Sequence, residues 1–139
     1  MHITTDSNWP RVVDDFAKFL TDAGLQFQTR KEEAVFSNKT LQYGGQSINV
    51  RIVSEKGVWY VEIADASHQS NEWYDAAILR DLILGPGEDV LSLQSQIEII
   101  ETNWAAINSL FSPSQEKHTH PRLAILREER AKRRFPNLL

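Results

Sequence analysis

Three stretches of this chain hold residues whose types and spacing could do chemistry. Asp65, Ser67, His68 and Ser70 stand together in DASHQSN, residues 65–71. A hydroxyl, an imidazole and a carboxylate are the parts of a hydrolytic triad. Such a triad needs all three in line beside an oxyanion hole, and neighbours in sequence seldom reach those positions. No G-x-S-x-G turn presents a serine. Glu116, His118 and His120 alternate in EKHTH. A metal needs a third or fourth ligand and a rigid frame, whereas this stretch reads as a polar linker before a helix. Gly44-Gly45 and Gly85-Pro86-Gly87 lack the spacing of a phosphate or dinucleotide loop, and read as a β-bulge and a helix stop. With no cysteine there is no thiolate chemistry. These residues predict no catalytic site, no metal and no cofactor.

The third stretch points to binding. Glu62, Asp65, Glu72 and Asp75 surround Trp73 and Tyr74. Carboxylates beside large aromatic rings make an anchor for a basic protein partner. The competing reading packs Trp73 into the core and leaves the acids to favour a helix N-terminus. Glu98 and Glu101, three apart, read as a solvated helix face. The segment Arg127 to Arg134 (REERAKRR) is basic. It could form a nucleic-acid or membrane-surface patch; the stronger reading is that its cations suit the negative end of a helix and also pair with the acidic body.

The elements that must position these groups follow from periodicity. Trp9, Val12, Val13, Phe16, Phe19, Leu20 and Ala23 recur at steps of three and four, predicting a helix from Trp9 to Ala23, with Asn8 as cap and Gly24 as stop. The period then falls to two. Leu25 to Arg30 reads as a strand, Ala34 to Phe36 as a short second one, and Leu41 and Tyr43 as part of a third. Ile48, Val50 and Ile52, then Trp59, Val61 and Ile63, make the clearest pair, joined by a four-residue loop, Ser54 to Gly57. One face is predicted to carry these residues with Phe27. A helix from Trp73 or Tyr74 to Leu84 should follow. Next comes one from Ser92 through Leu93, Ile97, Ile100, Trp104, Ile107 and Phe111, and then a last helix from Thr119–Pro121 to Arg134. The expected fold is α+β: an antiparallel meander of four or five strands, one N-terminal helix and three C-terminal helices. The expected core is Phe16, Leu20, Phe27, Val50, Ile52, Trp59, Val61, Leu79, Ile97, Ile100, Trp104 and Ile107.

At 139 residues, 41% of them apolar, the chain suits one domain, residues 1–139, with a core that needs no staples. Net charge is −4 but uneven. Residues 1–121 hold nine Lys and Arg against seventeen Asp and Glu; residues 122–139 hold six against two. An acidic body disfavours nucleic acid and favours a basic partner. MHITTDSNWP carries neither the basic nor the apolar region of a secretory signal, and no apolar run approaches the ~20 residues of a membrane span. The expectation is a cytoplasmic protein that engages no membrane.

The run Gly57-Val58-Trp59-Tyr60-Val61-Glu62-Ile63, with Trp73 to Leu84, Trp104 to Phe111 and REERAKRRFP, resembles small bacterial immunity proteins of contact-dependent inhibition and polymorphic toxin systems. The likeness spans residues 48–136 and holds no diagnostic motif. It implies stoichiometric, non-catalytic neutralisation of a toxin, often a nuclease with a basic site. The alternative is a non-enzymatic adaptor or self-associating domain, a homodimer for instance.

Overall fold

The computed structural model describes residues 9–34, 37–67 and 72–134. The chain begins with α1, Arg11–Asp22, whose buried Val13, Phe16, Ala17 and Leu20 fall on one face. Pro10 holds extended backbone at its N-cap, so the helix starts two residues later than expected. The Asn8 cap lies outside the described residues. At the other end Gly24 takes φ +95°. Its N–H bonds Thr21 O, and Leu25 N–H bonds Leu20 O, both at 3.0 Å. That paired closure satisfies two end carbonyls, and glycine supplies the left-handed residue it requires.

Four strands follow as a meander: β1 (Gln26–Glu32), β2 (Lys39–Gly44), β3 (Ile48–Glu55) and β4 (Val58–Asp65). With the two-residue β5, Tyr74–Asp75, they form an antiparallel sheet in sequence order. Three local expectations change. Ala34 sits in a turn rather than a strand, and Val35 and Phe36 lie outside the described residues. The β3–β4 turn is two residues, Lys56 and Gly57, at φ +51° and +83°. Positive φ at both positions matches the twist of the flanking strands better than the four-residue loop. The bulge lies in β1, between Phe27 and Thr29, instead of at Gly44-Gly45. A Cβ on Gly44 would overlap the Gln28 side chain beside it.

β5 occupies the start of the helix expected from Trp73 or Tyr74. Asp75 is the N-cap of α2 (Ala76–Leu84), and its Oδ1 accepts Ile78 N–H at 3.0 Å. A cap residue keeps extended backbone, so Tyr74 and Asp75 can pair with Ile63 and Glu62. The long helix expected from Ser92 is divided at Asn103 into α3 (Leu93–Thr102) and α4 (Trp104–Leu110). The Asn103 amide bonds Ile99 O in competition with the backbone ladder. α5 spans Glu116–Arg134, starting before Thr119 and carrying Pro121 inside it.

The helices cover one sheet face. Tyr43, Val50, Ile63 and Tyr74 form a row across it, each at most 3% exposed, beside a row of Leu41, Ile52 and Val61. Phe27 begins the first row and meets Tyr43 edge-on at 5.9 Å. It is nonetheless 43% exposed, because β1 is the edge strand. Trp59 and Trp104 are half-buried against the core, and the other expected core residues are buried.

Candidate functional site

Strand alternation divides the acidic cluster expected around Trp73. Side chains three residues apart on a strand point to opposite faces. Asp65 and Tyr74 therefore lie on the helix-covered face, at 4% and 3% exposure, while Glu62 and Asp75 pair on the other. The six residues do not form one surface.

On the covered side, Asp65 anchors a chain of hydrogen bonds. Its Oδ1 accepts the Ser67 N–H at 2.9 Å and the Ser67 hydroxyl at 2.7 Å. Its Oδ2 lies 3.1 Å from His120 Nε2. His120 Nδ1 lies 2.8 Å from the Tyr74 hydroxyl. In a neutral imidazole this pairing places Nε2–H on Asp65 and leaves Nδ1 to accept from Tyr74. Burial pushes the Asp65 carboxyl up, but hydrogen bonds from Ser67 and His120 outweigh it and hold it below the ordinary value. Burial raises the Tyr74 hydroxyl. The Tyr74 ring lies on Phe111, centroids 6.0 Å apart.

The order of these groups differs from a triad. Ser67 faces the carboxylate and not the imidazole, and a second carboxylate, Glu116, lies 2.9 Å from the same hydroxyl. The triad considered on His68 and Ser70 falls outside the described residues. Glu116, His118 and His120 stand in the first turns of α5 rather than in a linker. Two residues along a helix is a turn of about 200°, so His120 faces Asp65 while His118 is exposed. Among the described residues no three His, Cys, Asp or Glu are placed to hold a metal ion.

The other sheet face is open to water over much of its area. Gln42, Arg51, Glu62 and Asp75 are successive cross-strand neighbours and all half-buried. Arg51 Nε meets Glu62 Oε1 at 2.7 Å, and its guanidinium lies 4.2 Å from the centroid of the Trp73 ring. The next row is Thr40, Val53 and Tyr60, with Tyr60 40% exposed. A cavity of about 330 Å³ lies over these rows. A smaller one of about 120 Å³, between Tyr60, Asp75, Val58 and Val90, continues past the β4 edge. Sequence reasoning gave no role to Arg51 or Tyr60. Both are polar-face positions of well-patterned strands, which is the signal that could have found them.

The basic C-terminal segment is turned onto the acidic body, as one of its two readings expected. Arg127, Arg130 and Arg133 lie three apart, on one face of α5. Arg127 bonds Glu72 at 2.5 Å and the Trp73 carbonyl, and stands 4.5 Å from the Tyr74 ring centroid. Arg130 reaches both Asp75 oxygens, at 2.7 and 2.8 Å, and its Nε lies 3.6 Å from Asp89. Arg133 meets Asp89 at 3.2 Å and Asp81 at 3.5 Å. Between β5 and the first half of α5 runs a groove of about 580 Å³, with Tyr74, His120, Pro121 and Arg127 on its walls.

Elsewhere the acidity is less balanced. Glu101 is raised by burial and by the nearby carboxylates of Asp15 and Glu98. No described helix is long and apolar enough to cross a membrane. The chain matches no protein-family model, no curated protein and no solved structure.

Proposed function

We propose that this chain is a non-enzymatic, cytoplasmic binding protein of the immunity type, which neutralises a cognate bacterial toxin by stoichiometric binding. The open sheet face is its contact surface. The supporting observation is the grouping there of Arg51, Tyr60 and Trp73 around Glu62. Tyr, Trp and Arg are the residue types in which binding energy concentrates at protein interfaces. Glu55, Glu62 and Asp75 line the same cavity; Glu62 and Asp75 are paired with Arg51 and Arg130, and Glu55 adds a carboxylate that suits a basic toxin domain. Trp73, Glu62 and Asp75 keep the binding role expected of them; Asp65 and Tyr74 serve as its internal support.

Affinity purification of the tagged chain from its native cell tests the reading. A toxin-like protein at one-to-one stoichiometry is the expected result. Tyr60→Ala with Trp73→Ala should then weaken the complex by about 30-fold or more, the loss typical of two interface anchors. Recovery of the chain alone would sink the proposal. The second reading, self-association, is favoured by Val58 and Val90, 51% and 80% exposed beside Tyr60. A concentration-dependent dimer in sedimentation, dispersed by Val90→Asp, would support it.

A further inference from the structure

The second half of α5 is attached differently from the first. Thr119 and Leu123 are buried, and the Thr119 hydroxyl bonds Leu110 O at 2.6 Å. From Arg127 to Arg133 only Arg130 and Ala131 are even half-buried. What fixes this half to the body is the row of three arginines on Glu72, Asp75, Asp81 and Asp89, with Arg127 also over the Tyr74 ring. The two outer arginines open to water, with Arg127 and its partner Glu72 41% and 53% exposed and Arg133 43%, while Arg130 and Asp75 between them are 15% and 26% exposed. Ion pairs that open to water hold weakly and are screened by salt. A segment with little apolar burial can detach without unfolding the rest. The seat it would leave is rich in carboxylates, carries an aromatic ring, and joins the open sheet face through Trp73 and Asp75.

We propose that Arg127–Arg134 is a strap that acts as the chain's own ligand, and that a basic helical segment of the partner, with cations at the same spacing of three, displaces it. The proposal rests on the binding-protein reading for its partner but not for its geometry. A shut strap lowers apparent affinity by the fraction of molecules in which it is open. Removing the strap's cations must therefore raise the affinity of the seat for an equivalent helix.

The test uses the full chain and a fluorescent synthetic peptide with the sequence of residues 116–134, followed by anisotropy in low salt. The variant Arg127→Gln/Arg130→Gln/Arg133→Gln should bind the peptide about tenfold or more tightly than the parent chain. Adding Asp75→Asn and Asp89→Asn should abolish the gain; asparagine keeps the α2 cap while removing the charge. Equal affinity for parent and variant, or binding to neither, overturns the proposal. So does a gain that survives loss of the two carboxylates. If the variant does not melt cooperatively, the parent chain decides. The sequence has no cysteine, so spin labels at Lys132→Cys and Gln94→Cys report the strap alone. Their separation should lengthen and broaden as peptide is added, and an unchanged distance at saturation overturns the idea. A toxin that binds parent and triple variant equally removes the strap while leaving the immunity reading standing.

Discussion

Replacing Gln96 by methionine should destabilise the chain by about 2–4 kcal/mol, although the two side chains are similar in length. β5 covers β4 only at Glu62 and Ile63. Earlier along that edge, the Gln96 amide stands in for a strand. Its Oε1 accepts Val61 N–H at 2.8 Å, and its Nε2 donates to Trp59 O at 2.9 Å and Leu91 O at 3.1 Å. The residue is 5% exposed. Methionine fills the space and makes none of the three bonds. The buried Val61 N–H then goes unmet, at about 1–3 kcal/mol. Trp59 and Leu91 border the 120 Å³ cavity, where water can partly replace the amide, so the two carbonyls add roughly 1 kcal/mol together. At this chain length the melting midpoint should fall by about 10 °C. Urea unfolding at pH 7 measures the difference, with exposed Gln94→Met expected within ~0.5 kcal/mol of the parent. Gln96→Glu should cost more, since its carboxylate faces two carbonyl oxygens, and should recover partly in acid. A Gln96→Met chain within ~0.5 kcal/mol of the parent would refute the clamp.

Tyr74→Phe should cost about 1–2 kcal/mol by removing the donor to His120 Nδ1, and His120→Ala should cost less in that background than alone. Asp65 is held below its ordinary value of 3.8 in the fold, so its contribution is complete above that pH and is lost as pH falls through the lower folded value. Asp65→Asn should thus flatten the acid limb of the stability profile in urea titrations below pH 3.8. Glu101 has the opposite sign: its folded value is raised above 4.5, so its charge costs stability at neutral pH. Glu101→Gln should gain up to ~0.5 kcal/mol at pH 7, a gain that disappears in melts below pH 4.5. Phe111→Ala should cost about 3–5 kcal/mol in the same assay, since the ring is fully buried beneath Tyr74 and His120.

Legibility in the sequence followed the range of the interaction. α1, with its apolar stripe and Gly24 stop, and the β3–β4 pair could be read because their signals lie within a few residues. The position of β5 could not: two residues carry no period, and only pairing with Ile63 and Glu62 makes Tyr74 and Asp75 a strand. Phe27 looked like core because alternation cannot tell an edge strand from a central one. The division of Glu62 from Asp65 was present in the strand period, and proximity in sequence obscured it. The meeting of His120 with Asp65, 55 residues apart, depends on where α5 returns to the sheet. Likewise the spacing of Arg127, Arg130 and Arg133 was visible, but their carboxylates lie on segments that only folding brings near.

The bulge in β1 bears on whether copies of this chain can pair edge to edge. An edge strand offers a row of unpaired amides to any neighbouring chain, the usual start of sheet-to-sheet aggregation. Here the extra residue between Phe27 and Thr29 breaks the regular spacing, and Arg30, Lys31 and Glu32 place charges along the remainder. An incoming strand would lose register at the first and strip water from the second. The half-exposed Phe27 ring thus sits beside a bulged and charged edge, two of the devices by which sheets discourage such pairing.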